Sequence, residues 1–191
     1  MAAKPGERKL QILQVLAQML EKPHNEKITT AALAAQLEVS EAALYRHFAS
    51  KAQMFEGLIE FIEQTLFGLI NKISVEEQLG VKQVEAILTL LLGFAQKNPG
   101  MTRVLIGDAL VHENDRLQMR INQLHDRIET TLKQSLRIAV SQDELAATLD
   151  VAAKANLLLA YVVGRWHQFA KSGFKRAPKE FWEAQWPGML A

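Results

Sequence analysis

Hydroxyl, cationic and small side chains are concentrated between residues 29 and 51 of this 191-residue chain. Hydroxyl groups, cations and free helix N-termini bind phosphate, whereas small side chains let a helix enter the major groove of DNA. Together, these side chains favour contact with the phosphate backbone and the base edges of DNA. The residues that we predict to contact DNA are Thr29, Thr30, Ser40, Glu41, Ala42, Ala43, Tyr45, Arg46, His47 and Lys51.

Two short helices are predicted to position these side chains. Thr29 or Thr30 is suited to cap the first helix, and Ser40 is suited to cap the second. The residues LEVS join the two helices, which gives the spacing of a helix-turn-helix. Its predicted core consists of Leu33, Leu37, Leu44 and Phe48. From the spacing alone, a short helix pair with a solvated polar face and no role in DNA binding remains an alternative.

The rest of the chain repeats apolar residues at helical spacing, so the predicted fold is all-α. A three-helix DNA-binding domain is predicted over 1–52, and a larger helical dimerisation domain over 53–191. We expect a capping box in SQDE, residues 141–144, to begin a helix rich in small residues. A terminal helix is expected to begin at Pro178 and to end before Pro187.

The composition of the chain excludes several classes of protein. The chain is 49% hydrophobic and has no cysteine, which excludes disulfides and thiolate metal sites. We expect a cytoplasmic protein, neither exported nor spanning a membrane, because no apolar run approaches the roughly 20 residues that a bilayer needs. The formal net charge is +1, and residues 1–51 hold seven Lys or Arg against five Glu. Any electrostatic footprint for DNA must therefore be local.

Enzymatic motifs are not found in the sequence. His112 and Glu113 are adjacent and so diverge on a helix, unlike the paired histidines of a zinc hydrolase. The sequence has no glycine-rich phosphate loop and no nucleophile elbow. We therefore expect no catalytic residues, no metal and no cofactor.

The segment ITTAALAAQLEVSEAALYRHFASKAQMF, residues 28–55, resembles the DNA-binding domain of TetR-family regulators. The resemblance lies in the threonine, the aliphatic-alanine pair, Val-Ser, Leu-Tyr-x-His-Phe and the lysine shortly after. It implies a dimer that binds a palindromic site in double-stranded DNA. Glu38 stands where the family commonly has glycine at φ > 0, and a β-carbon there costs on the order of 1 kcal/mol.

Downstream segments, among them LIEFIEQTL, LLLGFAQKNPGMTRVLIGDAL and NDRLQMRINQLHDRIE, resemble TetR-like nucleoid occlusion factors. The resemblance implies a protein that associates with the nucleoid and, when bound to DNA, disrupts polymers of the tubulin-like division protein FtsZ. It implies no need for a small-molecule ligand. Where that family typically has arginine, this chain has Leu69 and Lys97. The implied partner-binding residues are Phe61, Leu69, Leu90, Gly93, Lys97 and Asn98.

A ligand-responsive transcriptional repressor with the same fold is the alternative. Such a repressor needs a ligand cavity. The residues that would either line this cavity or fill its space are Leu88, Leu91, Phe94, Leu105, Leu157 and Tyr161. In either case, the leucine and isoleucine stripe over 117–136 and the small-residue helix over 146–164 predict a homodimer interface.

Overall fold

The computed structural model describes residues 5–22, 28–111 and 113–190, which form helices and, within those ranges, no strand. The all-α prediction is therefore confirmed. A short 3₁₀ turn covers Asp108–Leu110. The α-helices are α1 Pro5–Leu20, α2 Thr30–Gln36, α3 Glu41–Tyr45, α4 Lys51–Glu76, α5 Gly80–Lys97, α6 Pro99–Leu105, α7 Asp115–Ser141, α8 Val151–Lys171 and α9 Trp182–Met189.

The chain divides into two compact units. One contains residues 1–62 and 98–121, and the other contains residues 63–97 and 122–191. The helix-turn-helix lies in the first unit, and the division falls inside α4 and α7. The predicted functional boundary after residue 52 follows the sequence motif and stays a prediction.

In the first unit, the helix-turn-helix packs through the predicted core. The four core residues are buried, as expected: Leu33, Leu37, Leu44 and Phe48. Phe48 also packs against α4, where a β-carbon built on Gly57 would lie 3.1 Å from the Phe48 ring. Burying an apolar side chain of this size contributes about 1.5–3 kcal/mol, so the two short helices depend on these contacts more than on propensity.

The contact between α6 and α1 is unusually close. A β-carbon on Gly100 would lie only 1.9 Å from the carbonyl oxygen of Ala17, so this approach requires glycine. The Arg103 guanidinium donates to the carbonyl oxygens of Leu20 and Lys22, each at 3.3 Å. Arg103 thereby satisfies carbonyls that the end of a helix leaves without an intrahelical donor.

In the second unit, α5 packs on α8, and buried hydrogen bonds join α5 to both α8 and α7. The Trp166 indole donates to the Leu91 carbonyl oxygen at 3.1 Å. The Ser135 hydroxyl donates to the Gln83 side-chain oxygen at 2.9 Å. Such pairing removes most of the cost of burying these polar groups.

The prediction that residues 141–144 begin a helix is wrong. Ser141 is the last residue of α7, and α8 begins ten residues later at Val151. The actual N-cap is Asp150, whose carboxylate accepts from two backbone N–H groups of the first turn of α8 at 3.0 Å.

The side chains of this false capping box cap a different helix. The Gln142 side-chain oxygen accepts from Gly80 N at 2.9 Å, and the Glu144 carboxylate accepts from Val81 N at 3.0 Å. Both groups therefore satisfy N–H donors at the start of α5, which has no capping hydroxyl of its own. A β-carbon on Gly80 would lie 2.2 Å from Ala139 N, so glycine is required where α5 meets α7.

The predicted bounds of the terminal helix are also wrong. α9 begins at Trp182, four residues after Pro178, and it contains Pro187. Its start is delayed because buried Arg165 donates to backbone carbonyl oxygens between residues 177 and 180. Phe181 then adopts a left-handed conformation with φ 67° immediately before the helix.

The leucine and isoleucine stripe of α7 is buried within the chain itself. Its residues have at most 2% of their surface exposed: Leu117, Ile121, Leu124, Ile128, Leu132 and Leu136. The prediction that this stripe forms a dimer interface is therefore wrong. The exposed side of α8, in contrast, presents Ala153, Leu157, Ala160 and Gly164.

Candidate DNA-binding and partner-binding surfaces

The turn between α2 and α3 is built by two caps and one left-handed residue. The Thr29 hydroxyl accepts from Ala32 N at 3.1 Å, and the Ser40 hydroxyl accepts from Ala43 N at 3.3 Å. Glu38 has φ 55°, as the family pattern predicts for this position. The chain therefore forms the expected turn while keeping a β-carbon in a conformation that favours glycine.

The exposed side of the helix-turn-helix carries a linked set of polar groups. The Thr30 hydroxyl donates to the Glu41 carboxylate at 2.5 Å, and the Tyr45 hydroxyl donates to Thr30 Oγ1 at 3.4 Å. Ala42 and Arg46 are exposed on the same short segment. The structure thus brings together residues of α2 and α3 that the sequence placed 15 positions apart.

Tyr45 is 45% exposed, although an aromatic ring is usually buried in a core. Its exposure on α3 fits a hydroxyl offered to phosphate. Ala43 and His47 are half-buried beside it. Contact of any of these residues with DNA stays a prediction.

Lys51 differs from the expectation of a solvated cation beside α3. It begins α4 directly after Ser50, whose hydroxyl accepts from Gln53 N at 3.2 Å. The Lys51 ammonium forms an ion pair with the Glu113 carboxylate. No local pattern in the sequence indicated this pair, because the two residues lie 62 positions apart.

The predicted partner-binding residues occur on α4, on α5 and at the start of α6. Leu69 is 43% exposed on α4, and Phe61 is half-buried on the same helix. Leu90 and Gly93 are half-buried on α5, and Lys97 is exposed at its end. Within α5, Gly93 and Lys97 lie one turn apart and share a face.

Asn98 is the N-cap residue of α6, but its side chain does not cap that helix. Its carbonyl oxygen accepts from Thr102 N at 2.9 Å and from the Thr102 hydroxyl at 3.0 Å. The backbone of Asn98 therefore has a structural role whatever its side chain binds.

Gly93 has a neighbour that the sequence did not indicate. A β-carbon built on Gly93 would lie 3.1 Å from Lys179 Cε and 3.3 Å from Lys179 Nζ. The only signal in the sequence was a glycine inside a helix, which costs about 1 kcal/mol relative to alanine and so suggests a close approach. The identity of the approaching residue required the fold.

Several residues proposed to line a ligand cavity are packed instead. Leu88, Leu91 and Leu105 have no accessible surface, so none of them borders a space that water can enter. Phe94 is buried as well, whereas Leu157 is exposed to solvent. Tyr161 is half-buried, and its hydroxyl donates to the Gln185 side chain at 2.8 Å.

The described ranges contain neither a cluster of side chains that could hold a metal ion nor a membrane-spanning helix. No group of three His, Asp or Glu side chains within those ranges could hold a metal ion. His112 lies outside the described residues. None of the helices described is long and apolar enough to cross a bilayer.

The fold and the exposed helix pair define a TetR-type DNA-binding regulator. Residues 24–58 match the model of bacterial regulatory proteins of the tetR family, and residues 78–191 match the SlmA-like model of the tetracycline-repressor-like C-terminal domain. The chain belongs to the family of the nucleoid occlusion factor SlmA. Because its relatives are DNA-binding regulators, the chain is a regulator and not an enzyme.

Two relatives illustrate the family membership. The chain is 54% identical to the nucleoid occlusion factor SlmA of Marinomonas sp. MWYL1, over 97% of this chain and 94% of that protein. It is 53% identical to the SlmA of Idiomarina loihiensis, over 99% of this chain and 96% of that protein.

Solved structures share the fold at much lower identity. The TetR-family regulator PfmR of Thermus thermophilus is similar with a TM-score of 0.78 and 23% identity, covering 94% of this chain and 97% of that one. The fatty acid degradation regulator FadR of Bacillus halodurans is similar with a TM-score of 0.80 and 12% identity, covering 100% and 97%. These likenesses concern the fold alone.

Proposed function

We propose that the chain is a nucleoid occlusion factor. It acts as a homodimer that binds a palindromic site in double-stranded DNA and, when bound, antagonises polymerisation of the tubulin-like division protein FtsZ. The observation that carries this proposal is the extent of the similarity: 53–54% identity spans 97–99% of the chain. A resemblance limited to the DNA-binding segment would have left the second half of the chain without an assigned role.

The geometry of the helix-turn-helix supports the DNA-binding half of the proposal. Tyr45 and Arg46 present a hydroxyl and a guanidinium at exposed positions, and half-buried Thr30 lies beside the Tyr45 hydroxyl. Ala42 is exposed and small enough for close approach to the major groove. In the proposed dimer, we expect two such faces to lie about 34–36 Å apart, which is the spacing of successive major grooves. DNA binding of this kind associates the protein with the nucleoid.

The FtsZ half of the proposal rests on α5. FtsZ ends in a tail with acidic and apolar residues. Lys97 is an exposed cation one turn beyond Gly93, which suits the docking of this tail. Lysine offers a point charge instead of the planar, bidentate contact of arginine. We therefore expect weaker contact with each carboxylate than in relatives with arginine at this position.

The ligand-responsive repressor has weaker support. Leu88, Leu91 and Leu105 are three of the six residues that would line or fill a ligand cavity, and all three are fully packed. The solved neighbours that share the fold do so at 12–23% identity, which carries no inference about a ligand.

The experiment is sedimentation of FtsZ polymers formed with GTP, in the presence of this protein, with and without its operator DNA. We expect the pelleted FtsZ to fall when operator DNA is present and to fall much less with DNA of random sequence. Pellets that remain unchanged with operator DNA would contradict the proposal.

A further inference from the structure

We propose that Lys179 is an additional binding residue for the acidic partner peptide, and that the groove between α5 and the segment before and within α9 holds part of that peptide. This inference rests on the proposed function and extends the predicted partner surface beyond the residues that the family resemblance implies. Its starting observation is the contact of Lys179 with Gly93: a β-carbon on Gly93 would lie 3.3 Å from the Lys179 ammonium nitrogen. The ammonium group therefore lies directly on the face of α5 assigned to the partner.

The backbone of Lys179 is held in place from the inside of the second unit. The buried Arg165 guanidinium donates to the carbonyl oxygens of Pro178 at 3.0 Å, Ala177 at 2.9 Å and Glu180 at 2.8 Å. The carbonyl of Lys179 itself accepts from Trp182 N at 3.0 Å. Every carbonyl from residue 177 to residue 180 is thus engaged. The backbone that carries Lys179 is therefore fixed, so peptide docking has to order only the lysine side chain and not this segment.

A groove of about 330 Å³ runs beside this lysine. One wall belongs to α5, where Ala86 and Thr89 leave a shallow face. The other wall carries Trp182 and Trp186, whose rings lie 5.3 Å apart between centroids. Trp182 is only 5% exposed, so the half-buried Trp186 ring supplies the aromatic surface for apolar side chains of an extended peptide.

The cations at the Gly93 end of this face are not neutralised. Among the residues that the structure describes, neither Lys97 nor Lys179 forms an ion pair. Lys97 follows Gly93 by one helical turn, so the two ammonium groups can address carboxylates a few residues apart in a peptide. This charge favours an acidic peptide over a basic one.

The charges at the other end of the groove are different. Glu85 and Lys82 form an ion pair at 2.7 Å, and the Glu85 hydrogen bond raises the pKa of the Lys82 ammonium. Glu85 precedes Gly93 by eight residues, which is roughly 12 Å along a helix. Glu77 and Glu183 also line the groove. Because Lys82 is already paired with Glu85, that end offers no free cation within the described ranges, so the acidic part of the peptide is expected at the Lys179 end.

The test measures binding of a fluorescent synthetic peptide with the sequence of the FtsZ C-terminal tail to the full chain bound to operator DNA. We expect Lys179→Ala to weaken binding about threefold to fivefold, in keeping with one exposed charge pair. Lys179→Glu should weaken peptide binding further, and Lys179→Arg, which keeps the charge, should bind the peptide as the wild type does. The matched control is Lys175→Ala, which removes another exposed lysine of the same segment and should leave the affinity within twofold. Glu183→Gln should strengthen binding.

The outcomes separate the inference from the function on which it rests. If the wild-type protein does not bind the peptide, the proposed function itself fails. If the wild-type protein binds it and Lys179→Glu binds within twofold of it, only the role of Lys179 is refuted. An equal loss of operator and random DNA binding in Lys179→Ala would assign this lysine to phosphate instead, and a changed oligomeric state in Lys179→Glu would assign the groove to a second copy of the chain.

Discussion

The ammonium group of Lys51 is ion-paired with the carboxylate of Glu113. Both side chains are mostly buried, with 21% and 13% of their surfaces exposed. The same ammonium lies 5.6 Å from the centroid of the Phe55 ring. A lysine predicted to bind DNA phosphate is therefore held by a carboxylate of the same unit. Phosphate must compete with Glu113 for this cation.

Glu113→Gln should strengthen DNA binding because it removes the competing charge while keeping the size of the side chain. We expect higher affinity for operator and random DNA alike, and a slope of log K against log salt steeper by up to about one. Fluorescence anisotropy over a range of salt concentrations measures both. Glu76→Gln, which removes the same charge at the far end of α4, is the control.

Lys51→Ala completes this test. If Lys51 reaches phosphate, its loss lowers the salt slope by about one, and Glu113→Gln then has no further effect in the Lys51→Ala background. An unchanged slope in both variants would mean that this ion pair is purely structural.

Tyr45→Phe should weaken binding to operator and to random DNA by the same factor. The change removes only the hydroxyl, which we expect to donate to a phosphate and which contacts Thr30 in this structure. One such hydrogen bond contributes about 0.5–1.5 kcal/mol. Parallel titrations with operator and scrambled DNA measure the ratio. A loss confined to operator DNA would show that Tyr45 reads a base instead.

Glu38→Gly should stabilise the DNA-binding unit. Glu38 has φ 55°, where a β-carbon costs about 1 kcal/mol, although the greater freedom of glycine in the unfolded chain offsets part of the gain. The measurement is the thermal unfolding midpoint. Glu38→Ala, which removes the charge and keeps the β-carbon, serves as the control and should show no comparable rise.

Leu157→Lys should convert the proposed dimer into a monomer. Leu157 is 57% exposed on α8, between the small exposed residues Ala153, Ala160 and Gly164, and a surface of this kind suits close packing of two copies. Light scattering at micromolar concentration measures the mass. Leu79→Lys, at a leucine 48% exposed before α5, should leave the mass unchanged. A wild-type monomer under these conditions would refute the dimer.

The DNA-binding helices could be predicted because their signals are local. Thr29 and Ser40 lie three residues before the N–H groups that they cap, and the four core residues follow the helical period. Even the left-handed Glu38 followed from a motif of adjacent residues. Over such distances, sequence neighbours are also neighbours in space.

The errors arose where partners lie far apart in sequence. Gln142 and Glu144 had the spacing of a local capping box, but their partners are Gly80 and Val81, more than 60 positions away. Arg165 likewise donates to the Pro178 carbonyl oxygen, which would have accepted an intrahelical hydrogen bond in a helix that began at Pro178. Periodicity alone cannot distinguish a stripe buried within one chain from a stripe that faces a second chain, which is why the α7 stripe was assigned to the dimer.

The most direct test of the proposed function is the amount of FtsZ that sediments with GTP, operator DNA and either the wild-type protein or a Lys97→Ala, Asn98→Ala variant. The wild-type protein should reduce the pellet strongly. The variant should bind operator DNA with normal affinity, because both changes lie outside the helix-turn-helix, and should leave the pellet close to that of FtsZ alone. If the variant reduces the pellet as much as the wild type does, the assigned partner surface is wrong. If neither protein reduces it, the chain does not antagonise FtsZ.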